Sequence, residues 1–499
     1  FNGPDAIQKA IFAANDGDVI RVNRNETTDY HRIVVNKQLK IIGNATNNPI
    51  INASLHGPIG KVAIWIKESN VAIENFIIHD GSIGILVSKP LGLPLSNIVI
   101  SNCTIYDIRS VIGWTPPLCC PKGCAIALVG DVTSSNISHN KICNSERGIY
   151  LGCGADGNEI TYNKIWGTGI GIHLGDARYN IITRNKIHDN RVGIRVLKNN
   201  TIHCNDIFGN AEYGIEIPLC PWREPVDARY NWWGSNSGPF DNHNPDTAPP
   251  PYNNTAGKGD SVTSYVYYRP WAQIRTNISF QGPLYIMNGV VHIGCSTKVN
   301  LNATTSCSCC WTVYATYYRV WWNGSWDPAP GSGVDDTGNF NLYTGNFTLS
   351  GDGPHHIEFY SKDTGGHKEG VQNITVYVDD TPPRIIKVVG NPNISGDGHP
   401  DYWVTSDTVI TINATERGCC DKGIRNISYR IRYNNSWTRW INITSLLPYD
   451  LTFPEECSYT LQIVAEDCLG NKAWDNETFY VDNTPPEIEK EIGEPQHLQ

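Results

Sequence analysis

A repeat of 21 to 23 residues constrains this chain more than any other feature. Segments beginning at Gly148, Gly171, Gly193 and Gly214 each read Gly-Ile, then a variable residue, then an aliphatic one, and they lie 23, 22 and 21 residues apart. Short β-branched runs broken by Gly and Asn favour strands and corners over helices. A fixed period of this length indicates a solenoid whose coils contact only their neighbours. We therefore predict a right-handed parallel β-helix.

Two columns of asparagine, five residues apart, accompany the repeat. They hold Asn158, Asn180 and Asn200 in the first column and Asn163, Asn185 and Asn205 in the second. Stacked coils bring equivalent residues about 4.8 Å apart, so an inward asparagine reaches the backbone of the next coil. The spacing continues upstream at Asn70/Asn75, Asn97/Asn102 and Ser135/Asn140, which predicts inward ladders there too. The 38 residues between Asn102 and Asn140 predict a loop at 114–123.

Length and charge exclude several classes of protein. With 499 residues, one compact domain is not expected. The net charge of −10 argues against nucleic acid and anionic membrane as partners. No run of 18 apolar residues occurs, so we expect no transmembrane helix.

Cysteine numbers favour disulfides. Eight cysteines precede residue 221, four lie between 295 and 310, and four lie between 419 and 468. Even counts in each group favour disulfides over metal or catalytic sites, so we predict pairing within the three groups. The sixteen are Cys103, Cys119, Cys120, Cys124, Cys143, Cys153, Cys204, Cys220, Cys295, Cys307, Cys309, Cys310, Cys419, Cys420, Cys457 and Cys468.

Asn-x-Ser/Thr sequons number 18, about three times the chance expectation, and argue for a glycosylated exterior outside the cytoplasm. Asn102 is expected to stay unmodified because it belongs to the predicted inward ladder. The other candidates for glycosylation are Asn25, Asn44, Asn52, Asn136, Asn199, Asn253, Asn277, Asn302, Asn323, Asn346, Asn373, Asn393, Asn413, Asn426, Asn434, Asn442 and Asn476.

The first half of the chain resembles a known family. An amphipathic stretch from Ala6 to Ala14, the strand at 19–22, the Leu-Lys-Ile-Ile-Gly turn at 39–43 and the repeated Asn-Lys-Ile coils are similar to pectate-lyase-like, NosD-like parallel β-helix proteins. The amphipathic stretch is expected to be a helix that caps the solenoid. An Asn-Trp-Trp-Gly segment at 231–234 resembles the segment that closes many such helices. The resemblance covers about residues 1–270 and implies fold more than function.

The second half is a tandem repeat with an offset of 110 to 111 residues. Tyr318-Arg-Val-Trp-Trp-Asn-Gly-Ser-Trp matches Tyr429-Arg-Ile-Arg-Tyr-Asn-Asn-Ser-Trp, and alternating strands over about 100 residues fit β-sandwiches. The Asp467-Cys-Leu-Gly-Asn471 turn resembles Ig-like repeats of bacterial and archaeal surface proteins. We expect a β-helix with cap at 1–272, Ig-like domains at 273–380 and 381–483, and a tail or further repeat at 484–499.

One outward column of the β-helix is the candidate ligand-binding strip. The residue after each Gly-Ile points outward, which aligns Tyr150, His173, Arg195 and Glu216 on one sheet. Such a strip would suit a polysaccharide, although any solvent-facing sheet carries polar residues. A lyase would need an acidic calcium cluster and a hydrolase would need paired carboxylates, and neither is evident. We expect no catalytic residue and no cofactor, with Ca²⁺ as the one ion kept open.

These features favour a non-catalytic, glycosylated extracellular or cell-surface protein that builds a surface layer, sheath or filament. The alternatives are a glycan-binding adhesin that uses the strip, and a polysaccharide lyase or hydrolase. The expected partners are other copies of the chain, its own N-linked glycans and surface polysaccharide. Segment 484–499 repeats 381–396, which opens the second sandwich, so we predict that it adds as a strand to a neighbouring copy.

Overall fold

A computed structural model describes residues 1–54, 62–89, 93–110, 121–307, 310–417, 423–491 and 493. The predicted loop at 114–123 and five of the cysteines (Cys119, Cys120, Cys309, Cys419 and Cys420) lie wholly or partly outside these ranges. The regular secondary structure of the described chain is almost entirely β-strand. Its one α-helix, Ala6–Ala13, buries Ala6, Ile7 and Ile11 against the core of the β-helix, as the amphipathic stripe predicts.

Three parallel sheets run the length of the right-handed β-helix. The first consists of Val19–Val22, Lys40–Gly43, Ala72–Glu74, Val99–Ser101, Asn136–Ser138, Glu159–Thr161, Ile181–Thr183, Thr201–His203, Val226–Asp227 and Val266–Tyr267. The second consists of Ile50–Asn52, Ile77–Gly81, Thr104–Ile108, Lys141–Cys143, Lys164–Trp166, Lys186–His188 and Asp206–Phe208. The third consists of Ile33–Val35, Val62–Ile66, Ile83–Val87, Cys124–Val129, Arg147–Gly152, Ile170–Leu174, Val192–Val196 and Tyr213–Glu216.

Stacked isoleucines fill the interior of the solenoid. Each short strand points its central residue inward, so isoleucines of successive coils become register partners, and all are fully buried. One such stack is Ile137, Ile160, Ile182 and Ile202. Two shorter pairs, Leu95–Ser96 with Val132–Thr133 and Pro239–Phe240 with Gly259–Ser261, lie beside the main sheets.

Asparagine ladders hold the inner corners, as predicted for the coils after residue 135. The Oδ1 of Asn185 accepts hydrogen bonds from the backbone N–H and the Nδ2 of Asn163, at 2.9 and 3.0 Å. The Nδ2 of Asn185 in turn donates to the Oδ1 of Asn205 at 3.0 Å and to the carbonyl of Ile160 at 2.7 Å. Each buried amide therefore satisfies backbone groups of adjacent coils that water cannot reach.

A third ladder lies at the remaining corner and was missed in the sequence. Asn190 receives hydrogen bonds from the N–H and hydroxyl of Thr168 and donates to Asn210, whose amide donates to Asp260. Thr168 and Asp260 occupy the two ends of this ladder, so a search for repeated asparagines alone does not detect the ladder.

The upstream ladder was predicted one residue out of register. Asn102 is exposed and adopts a left-handed conformation (φ 54°), as do Asn70, Asn75 and Asn97. The buried ladder position belongs to the next residue, since the N–H of Cys103 donates to the Oδ1 of Asn140. Asparagine tolerates the left-handed corner better than most residues, so it recurs with the same spacing at either position. The expectation that Asn102 is buried is therefore wrong.

Two β-sandwiches follow the solenoid, and their larger sheets have the same strand order. In the first sandwich the larger sheet consists of Leu284–Met287, Val290–Ile293, Gln372–Val378, Gly353–Asp363, Val313–Trp322, Ser325–Asp327 and Asn341–Leu342, facing the pair Ile274–Gln281 and Lys298–Thr305. In the second it consists of Asn393–Ser395, Tyr402–Val404, Lys472–Val481, Ser458–Asp467, Ile424–Tyr433, Ser436–Trp437 and Ile441–Asn442, facing Arg384–Val389, Ile410–Thr415 and Tyr449–Leu451. A 3₁₀ turn covers Thr444–Leu446.

The chain divides into two compact units. The first contains residues 1–275 with the segments 303–314 and 361–370, and the second contains 276–302, 315–360 and 371–499. Two loops that the sequence places in the first sandwich therefore belong with the β-helix unit. Within the described residues, no helix has the length and hydrophobicity needed to cross a lipid bilayer.

The disulfide pattern departs from the prediction. Cys204 is bonded to Cys310, so this disulfide crosses two of the cysteine groups, because segment 303–314 packs within the β-helix unit. Cys153 and Cys468 are disulfide-bonded as well. Free thiols are present at Cys103, Cys143, Cys220, Cys295 and Cys457, against the expectation that nearly all cysteines are oxidised. Cys103 is enclosed in the apolar interior, where burial raises the pKa of its thiol to about 12.

Candidate functional site

The structure places the four residues of the predicted strip in register on the third sheet. Tyr150 pairs with His173, His173 with Arg195, and Arg195 with Glu216. The same column continues upstream through Ala127, Leu86 and Trp65. The Gly-Ile repeat thus identified neighbours on adjacent coils correctly.

The upstream part of this column is buried rather than solvent-facing. Leu86 and Ala127 are inaccessible, and Tyr150 is 8% exposed. With Val62 and Ile83 they form a small apolar cluster on the outer side of the sheet. Only the His173–Glu216 end of the strip is therefore open to a ligand.

His173 is held as a neutral imidazole. Burial, together with the positive charges of Arg147 and Arg195, lowers the pKa of His173 to about 4. Its ring lies edge-on to Tyr150, with centroids 5.3 Å apart, and its Nδ1 has no hydrogen-bond partner among the described residues. Because that Nδ1 is buried, only the rest of this neutral ring can meet a ligand at pH 7.

Arg195 and Glu216 are engaged with each other. The Nε of Arg195 donates to the carboxylate of Glu216 at 2.7 Å, and both side chains are about one-fifth exposed. A paired carboxylate is poorly placed as a nucleophile or base. Asp156 and Asp176 accept backbone hydrogen bonds at the coil corners, from Arg178 and Cys153.

A second outward column, on the second sheet, is a stack of rings. Trp166 lies parallel to His188 with centroids 6.2 Å apart, and His188 lies parallel to Phe208 at 5.1 Å. Lys164 covers the Trp166 ring and Lys186 covers Phe208. These contacts indicate a packing role for the column.

A buried histidine cluster in the β-helix unit was missed in the sequence. His367 bonds to Asp206 through Nε2 at 2.8 Å and to Asp363 through Nδ1 at 2.9 Å. Its ring stacks on Trp232 and meets Trp311 edge-on. Burial alone would lower the pKa of His367, but the hydrogen bonds and charges of the two aspartates raise it to about 9. No local sequence signal links residues 161 positions apart.

The turn that carries His367 is repeated in the second sandwich. Asp363 accepts hydrogen bonds from the N–H groups of Gly365 and His367, and Asp467 accepts them from Leu469 and Asn471. At the position of His367, the second copy has Asn471, whose amide donates to the carbonyl of Asp379 at 3.1 Å. The Asp-x-x-Gly-Asn resemblance therefore reflects a turn closed by its first aspartate.

Three carboxylates converge beside this second turn. Oxygens of Asp379, Glu416 and Asp467 lie within 4.8 Å of one another, and both aspartates are fully buried. Carboxylate oxygens are ligands that Ca²⁺ prefers, so this is where the ion kept open by the sequence would fit best. A role for Ca²⁺ stays a prediction.

One family model matches part of the chain. It is described as periplasmic copper-binding protein (NosD) and matches residues 121–237, less than half of the length. No three His, Cys, Asp or Glu ligands of that fully described segment converge on one point. The one group that includes its Cys204 takes Cys307 and Cys310 from elsewhere, and Cys204 is already in the disulfide with Cys310. The residues present do not fit a copper centre.

Solved structures show distant likeness only. Full-length tailspike protein 2 of Escherichia coli O157:H7 bacteriophage CAB120 is 11% identical over 96% of this chain and 66% of that chain, with a TM-score of 0.34. XylC in complex with xylose is 13% identical over 45% of this chain and 62% of that chain, with a TM-score of 0.29. Fibronectin(III)-like modules of Clostridium thermocellum CbhA are 12% identical over 43% of this chain and all of that chain, with a TM-score of 0.21. No curated protein matches the chain.

Proposed function

We propose that this chain is a non-catalytic, N-glycosylated and disulfide-stabilised extracellular protein that builds a surface layer, sheath or filament. The observation that supports this most is the division of its asparagines between inside and outside. All ten fully buried asparagines belong to the corner ladders, and none of them starts a sequon. Every one of the 18 sequon asparagines is at least partly exposed.

This division suits a protein that passes through a glycosylating compartment. A sugar on a ladder asparagine would break the buried amide network, since its Nδ2 protons serve adjacent coils. Sequons confined to accessible positions allow dense modification without that cost. The Cys204–Cys310 disulfide and the partial match to a periplasmic family point to the same oxidising environment.

The rigid solenoid supports a structural role. Its strands pair with the next coil throughout, which leaves few unpaired backbone groups along its length. The strip offers no free acid–base pair, because Glu216 is bonded to Arg195. A chain with this build serves as a stiff, protease-resistant element of a surface assembly.

Direct imaging of the native material by cryo-electron microscopy tests this proposal. We expect regular polymers or sheets in which the repeat is a single chain. Purely monomeric particles across the concentration range found at the cell surface would rule out an assembly role. Intact-glycopeptide mass spectrometry on the same sample measures the occupancy of each sequon separately.

Glycan binding by the open end of the strip is the second candidate. It is favoured by the partly exposed ring of His173, which lies in one column with the polar pair Arg195–Glu216. In a glycan array, His173→Ala and Arg195→Ala should each weaken binding about tenfold, the effect of losing one good hydrogen bond to a charged or buried group. His139→Ala, at an exposed corner, is the matched control. Equal binding by all three variants would exclude the strip.

A further inference from the structure

The outer face of the larger sheet in the second sandwich exposes tryptophans. Strand Lys472–Val481 points Phe479 and Val481 into the core, so Trp474 and Asn476 point outward. Trp440 and Trp474 are 40% and 55% exposed. Large apolar side chains grouped on a surface mark a contact with something apolar enough to cover them.

Two adjacent rows of side chains cross this face. The first row consists of Asn442, Ser428, Val464 and Trp474, which are successive register partners. The second row consists of Trp440, Arg430, Gln462 and Asn476. Each row has an asparagine at one end and a tryptophan at the other, in opposite order. The indoles of Trp440 and Trp474 meet edge-to-face, with centroids 6.0 Å apart.

Both of these asparagines start Asn-x-Thr sequons, and each follows its tryptophan by two residues. Trp474 and Asn476 are on one strand, where residues two apart share a face and lie about 6.6 Å apart. Among the 18 sequons, three have tryptophan at this position, at Asn323, Asn442 and Asn476, whereas 15 tryptophans in 499 residues would give about one or fewer by chance.

The two amides are accessible for modification. Asn442 and Asn476 are both exposed. The Asn476 side chain makes no hydrogen bond to any described residue. The Nδ2 of Asn442 donates one hydrogen bond, to Asn426 at 2.6 Å. A glycosylated amide keeps one N–H, so this bond survives the attachment of a sugar.

We propose that Asn442 and Asn476 carry N-linked glycans whose first sugars pack on Trp440 and Trp474. In the transfer, the Nδ2 of asparagine forms a bond to the anomeric carbon of an oligosaccharide activated on a phosphate-linked lipid. The bond from that carbon to the phosphate oxygen breaks, the lipid phosphate leaves, and Nδ2 loses one proton to a base. The C–H face of the sugar ring then covers the exposed indole, which has an apolar body and one polar edge.

This inference rests on the proposed glycosylated exterior but not on polymer formation, so the two fail in different experiments. Glycopeptide mass spectrometry of the native protein measures occupancy at both sites. Hydroxyl-radical footprinting then compares the native protein with Asn476→Gln. We expect oxidation of Trp474 to rise at least about twofold in the variant, because a sugar covers about one of the two indole faces.

Two controls isolate the effect. Trp403, 40% exposed on the same sheet and not followed by a sequon two residues later, should be oxidised equally in both proteins. Asn434→Gln removes a turn sequon preceded by Arg432 and should leave Trp474 unchanged. An unmodified Asn476, or a glycosylated Asn476 with Trp474 equally reactive in the variant, overturns the proposal.

A double-mutant cycle gives a second readout. Asn476→Gln should lower the Tm of the second sandwich by about 4 °C in the native background, a shift of the size that one lost surface contact produces in a domain of about 100 residues. It should change Tm little when Trp474 is already replaced by Ala, because the sugar then has no ring to cover. Equal shifts in both backgrounds would show that the glycan does not pack on Trp474.

Discussion

His367 shows how one residue couples the stability of the β-helix unit to pH. Its imidazolium lies between the carboxylates of Asp206 and Asp363 and is almost fully buried. The folded-state pKa of about 9 lies above the ordinary value of 6.5. The stabilisation from this cluster is therefore complete below about pH 6.5 and is lost as the pH rises through about 9.

We predict that the native protein loses on the order of 3 kcal/mol between pH 6.5 and pH 9.5 through this group, at 1.36 kcal/mol per pKa unit. His367→Gln should flatten this part of the stability profile and lower the stability at pH 6.5. The measurement is urea unfolding of the β-helix unit as a function of pH. A variant with the same alkaline slope as the native protein would contradict the assignment.

The stability contributed by His173 depends on pH in the opposite direction to that contributed by His367. The His173 pKa of about 4 lies below the ordinary value, so the unfolded chain binds a proton more readily than the folded one. Stability from this site is present above about pH 6.5 and decreases as the pH falls towards 4. His173→Phe should reduce the acid sensitivity of the β-helix, measured by thermal unfolding between pH 4 and pH 7. An unchanged acid profile would show that folding does not lower the pKa of His173.

At the scale of the structural element, the sequence predicted the solenoid well because its coils are local repeats. The amino-acid sequence alone shows the period of 21 to 23 residues, and with it the regular spacing of the isoleucines and asparagines that stack in the structure. The register of Asn158 to Asn205 and of the Tyr150–Glu216 column followed directly from that period. The sequence did not reveal the one-residue shift in register at Asn102, because asparagine is favoured both at a left-handed corner and in a buried ladder.

The ladder and the corner should respond differently to mutation. Asn185→Ala removes a buried amide that serves both neighbouring coils, so we expect a loss of about 2–4 kcal/mol from the unsatisfied groups left behind. Asn102→Gly keeps a residue that tolerates positive φ at an exposed corner and should cost less than about 1 kcal/mol. Urea midpoints measure both. Equal losses would favour the original register, in which Asn102 is a ladder residue.

At the scale of the whole chain, the sequence did not predict the long-range contacts. The His367 cluster and the Cys204–Cys310 disulfide join residues 161 and 106 positions apart, and no local pattern encodes either contact. Grouping the cysteines by domain failed because segment 303–314 packs within the β-helix unit. The sequence also failed to show that the column upstream of His173 is buried. The burial of Leu86, Ala127 and Tyr150 depends on packing over the sheet, which a local repeat does not encode.

The disulfide gives a direct test of this arrangement. Non-reducing peptide mapping should recover Cys204 linked to Cys310. Cys204→Ser should destabilise the β-helix unit by about 2–5 kcal/mol, as is typical when a native disulfide is removed. Cys220→Ser, which removes a free thiol of the same unit, is the matched control. Recovery of Cys310 linked only to cysteines of its own group would restore the original prediction.

The last prediction concerns the exposed tail. Its earlier copy, Arg384–Val389, pairs antiparallel with Ile410–Thr415 and so opens the second sandwich. Residues 484–491 have the same Thr-Pro-Pro start but no strand partner among the described residues, and Ile488 is 92% exposed. A segment whose backbone groups are unpaired gains by adding as a strand to a sheet edge of another copy, and such a head-to-tail contact propagates unless it closes into a ring. Deleting 484–499 should therefore abolish or shorten the polymers seen by electron microscopy. Replacing Ile488 with Asp should weaken them less than the deletion does, and polymers unchanged by the deletion would exclude the tail as the contact.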